Sequence, residues 1–254
     1  MMILNNRVAI VTGAGSGIAR GGAEIMAREG AVVVVADKSV DRSDETVELI
    51  LKAGGRAEAR PTDVTDEDAV AKLIADSHAA HGRIDILHNH AGIQVEGALE
   101  EVSGAGLDAS YQLNVRAHFT AAQQVVPHMK AQGGGVIINT SSNSGVFLDS
   151  GMLAYITTKA AVIMMTKQIA LDYAQHNIRC NAFCPGWVDT PFNEPYMKQM
   201  GGRGALEKYV KETIPMGRWA TIEEMAESIL YLVSDRSAFM TGHALVVDGG
   251  ECIA

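Results

Sequence analysis

Apolar residues along this chain fall into short unbroken runs, separated by longer stretches in which they recur with helical spacing. Residues 7–12 (Arg7, Val8, Ala9, Ile10, Val11, Thr12) and 31–36 (Ala-Val-Val-Val-Val-Ala) show little polar alternation, the pattern of strands buried on both faces. Further β-rich runs lie near 56–61, 84–89, 135–140, 178–184 and 244–248. Helical patterns lie near 18–29, 41–53, 66–80, 103–131, 151–176 and 221–234. Strand and helix therefore alternate. That order predicts an α/β fold, a doubly wound parallel sheet with helices on both faces and ligand bound beyond the carboxyl ends of the strands.

A chain of 254 residues, 47% of them hydrophobic, suits one well-packed domain over 1–254. No stretch of 18 apolar residues free of charge appears, so no membrane span is expected. The start, MMILNNR, lacks the basic and apolar regions of a secretory leader. Three cysteines (Cys180, Cys184, Cys252) make no disulfide framework, and a reducing cytoplasm is the expected home. A net charge of −9 with no basic stripe argues against nucleic acid and anionic membranes as partners.

The first strand runs into Gly13, Ala14, Gly15, Ser16, Gly17 and then a helix from Ile18. A glycine-rich turn between strand and helix lets backbone N–H groups approach a pyrophosphate, which the helix N-terminus favours. The spacing is not the common G-x-G-x-x-G, since the sixth position is Ile18 counted from Gly13 and Arg20 counted from Gly15. Asp37 follows the second strand, twenty residues after Gly17, where a carboxylate accepts from ribose hydroxyls and repels a 2′-phosphate. Although Lys38 is adjacent, Asp37 predicts NAD rather than NADP. Asp41 and Ser43 look better placed than Asp37 to cap the next helix.

Tyr155 and Lys159 stand four apart in AYITTKAA, on one helical face, with Ser142 thirteen residues upstream. A free phenol ionises near pH ~10, and a neighbouring ammonium lowers that value. With Ser142 holding the substrate oxygen, this is equipment for exchanging a proton with an alcohol or a carbonyl.

Taken together, the two ends of the chain resemble a classical short-chain dehydrogenase/reductase, from about Asn5 to Gly250. Thr12-Gly13-x-x-x-Gly17-x-Ala19 resembles the family's phosphate loop, with Ala19 where glycine is usual. Asp63-Val64 resembles the adenine-contacting pair, and Asn89-His90-Ala91-Gly92 the family's Asn-Asn-Ala-Gly element, with His90 replacing an asparagine. Asn114 resembles the helix asparagine that holds a proton-relay water. Ser142, Tyr155 and Lys159 match the active-site triad, and Pro185-Gly186 with Thr190 matches the turn that grips the nicotinamide. Asp248-Gly249-Gly250 resembles the usual ending.

The resemblance implies a Rossmann-type domain whose dinucleotide contacts include Gly13, Gly15, Ser16, Gly17, Ile18, Asp37, Asp63, Val64, Asn89, Ala91, Gly92, Tyr155, Lys159, Pro185, Gly186, Val188 and Thr190. It also implies catalysis by Asn114, Ser142, Tyr155 and Lys159. Assembly is expected as a homotetramer through the helices near 103–131 and 151–176, using Ala160, Ala161, Ile163 and Met164. A lid over about 191–216 is expected to cover the substrate.

Gln94, Ser142, Ser144, Phe147, Tyr155 and Trp187 are the expected substrate contacts, a mixture suited to a sugar, polyol or cyclic alcohol. His88 and His90 face one side of a strand, but no Cys, Asp or Glu cluster completes a metal site, and none is expected. The expectation is an NAD-dependent oxidoreductase for a secondary alcohol or its ketone. The alternatives are an NADPH-linked ketoacyl-type reductase and a non-catalytic dinucleotide-binding protein.

Overall fold

A computed structural model describes residues 2–254. Seven strands, β1 (Val8–Thr12), β2 (Val32–Ala36), β3 (Arg56–Ala59), β4 (Ile86–Asn89), β5 (Gly135–Thr140), β6 (Ile178–Pro185) and β7 (Ala244–Val247), form one sheet. Its order is β3-β2-β1-β4-β5-β6-β7 and every pairing is parallel, with Val8 opposite Val32 and Ala9 opposite Ile86. The order reverses between β1 and β4, which opens a crevice at their carboxyl ends.

Alternate residues of each strand feed two cores. Ala9, Val11, Val33, Val35, Ile86 and Ile138 pack with α1 (Gly17–Arg28) and α9 (Ile222–Val233). Ile10, Val34, Leu87 and Ile137 pack against the opposite layer, α3 (Glu67–His81), α5 (Ala117–Ala131) and Ala170 of α6 (Leu153–Tyr173). Both faces are covered, so the strands need no polar alternation. Ala19 is fully buried in α1, and the glycine that close packing requires lies two residues on: a Cβ at Gly21 would overlap the Ile222 side chain of α9.

Two elements differ from expectation. The 103–131 stretch is interrupted: α4 (Gly104–Tyr111) passes through a π-helical turn, Gln112–Arg116, before α5 begins. Such a turn accommodates one extra residue and commonly marks a functional site. Helix α2 (Val40–Lys52) is capped by Ser39, which accepts from the Arg42 N–H at 3.4 Å, rather than by Asp41 or Ser43. The 191–216 stretch folds as a one-turn 3₁₀ helix, α7 (Glu194–Gln199) and α8 (Arg203–Thr213). It has a small core of its own, with Leu206, Val210 and Ile214 buried against Trp187, Tyr196, Tyr209 and Trp219.

Candidate active site

A cleft of about 550 Å³ opens at the carboxyl ends of the strands. At one end lies the turn after β1. Gly13 has φ +69°, and a Cβ there would come within 3.0 Å of the Ala91 Cα, so only glycine lets the chain after β4 pass this close. Ser16 is the N-cap of α1, yet its side chain caps nothing and the first turn holds no acidic residue. The free N–H groups of that turn suit an anion. Arg20 secures the loop from below, donating to the Gly15 carbonyl and pairing with Glu45 at 2.8 Å. Asp37, at the end of β2, accepts from the Gly15 N–H and from the Ser39 N–H, each at 3.0 Å. Lys38 and Arg42 line the cleft beside it. A Thr65 hydroxyl at 2.7 Å and its N–H at 2.9 Å hold Asp63 below the usual carboxylate range.

The other end is built around α6. Tyr155 and Lys159 lie on its inner face, 7% and 3% exposed, with the Lys159 Nζ 5.5 Å from the Tyr155 ring centre. Lys159 donates to the Thr140 carbonyl at 3.0 Å, which ties it to the end of β5. Ser142, just past that strand, accepts from the Ser144 N–H at 3.2 Å, and its hydroxyl also faces Tyr155. Burial pushes the Tyr155 phenol up to about 12, the Ser142 hydroxyl only partly opposing it, and pushes Lys159 down to about 8. Desolvation disfavours phenolate and ammonium alike. Tyr155 therefore rests as a proton donor.

Most expected contacts share this one cleft: Gly13, Ser16, Gly17, Ile18, Asp37, Asp63, Val64, Ala91, Gly92, Gln94, Ser142, Ser144, Phe147, Tyr155, Lys159, Pro185, Gly186, Trp187, Val188 and Thr190 all line it. Gly15 does not, and acts through its bond to Asp37. The Asn89 side chain is buried behind the wall, donating to Asn139 at 2.9 Å and to the His118 carbonyl at 3.2 Å, so its amide ties β4 to β5.

Asn114 is also fully buried. Its amide brackets Ile93, accepting from that N–H at 2.8 Å and donating to that carbonyl at 2.9 Å, and it donates to Thr158 at 3.0 Å. The π turn delivers it there. A Cβ at Gly92 would stand 3.0 Å from the Asn114 Oδ1 and 3.4 Å from the Lys159 Nζ, so the three groups are immediate neighbours. With both amide hydrogens spent, the Asn114 side chain shapes the wall rather than reaching into the cleft.

His90 lines the cleft, and its ring shares the Thr140 hydroxyl with His88 at 3.1 and 3.0 Å. Burial keeps both imidazoles well below their ordinary value. Sequence reading missed Asn143, Asp149 and Glu251, which line the same cleft, and named Phe192 and Tyr196 only through the 191–216 lid that carries them. Phe192 stands 6.4 Å from the Tyr155 ring, and Tyr196 5.2 Å from Trp187. Only Glu251 left a trace in the sequence, as a charged residue directly after Asp248-Gly249-Gly250.

The parallel sheet, the glycine turn at its switch point and a buried Tyr-Lys pair beside a serine define a dinucleotide-dependent oxidoreductase of the Rossmann type. Residues 13–251 match the family described as enoyl-(acyl carrier protein) reductase. The chain is 36% identical over 252 residues to 3-oxoacyl-(acyl-carrier-protein) reductase FabG of Thermotoga maritima, covering 99% of this chain and 100% of that protein. It is 33% identical to the NAD-dependent glycerol dehydrogenase of Listeria innocua, over 98% of this chain and 95% of that protein. A short-chain type dehydrogenase/reductase from Mycobacterium marinum superposes with a TM-score of 0.94 at 33% identity, covering 100% of this chain and 98% of that one. The chain belongs to the short-chain dehydrogenase/reductase family, whose members act on CH–OH groups or ketones with a nicotinamide dinucleotide.

The residues present fit that group. The Gly13 close approach and the uncapped first turn of α1 suit a pyrophosphate, and Asp37 suits a ribose. No helix of the described residues is long and apolar enough to cross a membrane.

Proposed function

We propose that this protein is an NAD-dependent oxidoreductase, a single catalytic domain that interconverts a secondary alcohol and its ketone, of the sugar, polyol or cyclic-alcohol class. The observation that carries the reading is the convergence of Ser142, Tyr155 and Lys159 in the cleft that also holds Gly13 and Asp37. A nicotinamide dinucleotide, held by the Gly13 turn and Asp37, would supply the hydride chemistry. Ser142 orients the substrate oxygen, and Tyr155 gives that oxygen a proton in reduction or takes it in oxidation. Lys159, fixed by the Thr140 carbonyl, places positive charge beside the phenol whenever the phenolate forms. Phe192, Trp187 and Tyr196, carried by or packed against the 191–216 segment, exclude water from that end.

Asp37 supports NAD, since a 2′-phosphate placed at its carboxylate meets like charge. NADP is the second reading, because Lys38 and Arg42 line the same corner. We also propose a homotetramer assembled through α4–α5 and α6. On α6, Met164 and Leu171 are 63% and 76% exposed and offer an apolar face. Ile163 is not part of it, being buried against Ala182 and Cys184 beneath the helix. The decisive test of function is a panel of secondary alcohols offered with NAD and with NADP, read by the absorbance of the reduced nicotinamide. Turnover of polyols or cyclic alcohols with NAD is expected. A protein that binds NADH but oxidises none of the panel would overturn the reading.

A further inference from the structure

Carboxylates line both ends of the cleft, but its exposed cations gather at one. Lys38 and Arg42 stand at the end beside Asp37, while Asp149 and Glu251 stand at the end with Ser142 and Tyr155. Apart from Lys159, which is turned onto the Thr140 carbonyl, no lysine or arginine among the described residues lines that second end. Glu251 is held there from several sides. Its Oε1 accepts from the Trp187 indole N–H at 3.0 Å and its Oε2 from the Asn143 amide at 2.7 Å. Asp248 folds the preceding turn, accepting from the Gly250 N–H at 2.9 Å and the Cys252 N–H at 2.8 Å, so the chain end is bent into the cleft. Asn143 adjoins Ser142 in sequence, which places this carboxylate one residue from the group that orients the substrate oxygen.

A third carboxylate, Glu96, stands outside the cleft in an adjoining recess. Glu96 lies behind the wall formed by Met152 and Tyr196; Gln94 donates to its Oε1 at 2.8 Å, and its Oε2 is buried without a hydrogen-bond partner. Each carboxylate oxygen of Glu251 has further lone-pair capacity beyond the one bond it accepts. A ligand group that donates hydrogen bonds satisfies that capacity, whereas a second anion leaves it unmet and is repelled by Glu251 and Asp149 together.

We infer that Glu251 is a specificity-determining residue that selects secondary alcohols whose far end donates hydrogen bonds, a hydroxyl or an ammonium, and rejects those ending in a carboxylate. The inference rests on the proposed chemistry at Tyr155 and Ser142 and deepens it by naming the substrate class. It also sets this site apart from one built for anionic acyl carriers or sugar acids, which calls for cations where this cleft has acids.

The test is a series of three butanols that share one secondary alcohol: 1,3-butanediol, 4-amino-2-butanol and 3-hydroxybutyrate. For wild type, kcat/KM for the diol and the amino alcohol is expected to exceed that for the hydroxy acid by at least about tenfold. Glu251→Gln keeps the shape of the side chain and removes the charge. It is expected to reduce the diol-to-acid and amine-to-acid ratios by about tenfold, with NADH affinity and melting temperature measured on the same samples to show an intact fold. A merely structural role for Glu251 would lower all three substrates together and leave the ratios in place, which overturns the inference. Wild-type preference for the hydroxy acid overturns it as well, while leaving the oxidoreductase reading standing. Turnover of none of the three overturns the inference, while the oxidoreductase reading stands or falls on the wider panel of secondary alcohols.

Discussion

The two ends of the cleft are made of different materials. The end around Gly13 and Asp37 is largely backbone: a tight turn, free N–H groups and one carboxylate held by two main-chain donors. The end around Tyr155 is side chains from α6, from the loops after β5 and β6, from α7 and from the C-terminal tail. The first end needs particular residues at fixed local spacing, because only they permit the backbone path. Beyond Ser142, Tyr155 and Lys159, the second needs only that distant segments arrive together, so its remaining residues are free to change with the ligand. A shared cofactor grip and a private substrate pocket follow from that difference.

Lys159→Met is expected to produce the largest effect, because Lys159 stands between the two ends. Turnover should fall by at least ~10²-fold, and NADH binding should weaken too, since the ammonium is expected to reach the ribose as well as to support the phenol. Stability should move the other way. Burial lowers Lys159 to about 8, so below that pH the fold holds an ammonium that it disfavours. Stability attributable to a lowered pKa is present above the unfolded value near 10.5 and is lost as pH falls through about 8. At pH 7 the methionine variant is therefore expected to melt at or above the wild-type temperature, a gain that fades toward pH 10.5. Calorimetry across that range checks the sign.

The cofactor end is sharpened by a double substitution. Asp37→Ala with Lys38→Arg should shift the NAD-to-NADP preference by at least tenfold, about 1.4 kcal/mol, without changing which alcohols are oxidised. Titration of wild type and variant with both dinucleotides is the measurement. Equal wild-type curves would contradict the role given to Asp37.

The pH dependence separates the two directions of reaction. Burial raises Tyr155 to about 12, so the donor form persists through neutrality. Reduction is expected to hold its rate there, whereas oxidation should rise with pH as the proton leaves. The midpoint belongs to the coupled Tyr155–Lys159 pair. Rate profiles in both directions would test this, and an oxidation rate that falls from pH 7 to 9 would not fit.

The smallest effect is expected at the lid. Leu206 is fully buried in the local core of α8, and Leu206→Ala should loosen that segment. KM should rise several-fold, with dinucleotide affinity near wild type. Steady-state kinetics alongside NADH titration reads both.

How much was legible follows the same division. The glycine turn, Asp37, Ser142, Tyr155 and Lys159 announce themselves because each requirement is local: a positive φ, a strand end, a four-residue helical spacing. Alternation of strand and helix gave the sheet for the same reason. The π turn was invisible, since it is stabilised by Asn114 reaching Ile93, 21 residues away. The direction of the Asn89 amide was not legible either, because a strand-end position does not reveal which way an amide turns, and this one turns to Asn139. The lid over 191–216 was legible as a segment, but Tyr196, Phe192 and Glu251 reach the cleft individually only through packing of that lid and of the tail. Nothing in their spacing marks them.

The most direct test of the account is Tyr155→Phe, measured for NADH affinity and for turnover on the same preparation. The substitution removes one hydroxyl from a ring that still packs beside Phe192, and it leaves Gly13 and Asp37 untouched. The account predicts turnover reduced by at least ~10²-fold with NADH affinity nearly unchanged. A Tyr155→Phe protein that oxidises its alcohol at close to the wild-type rate would show that the proton passes through another group.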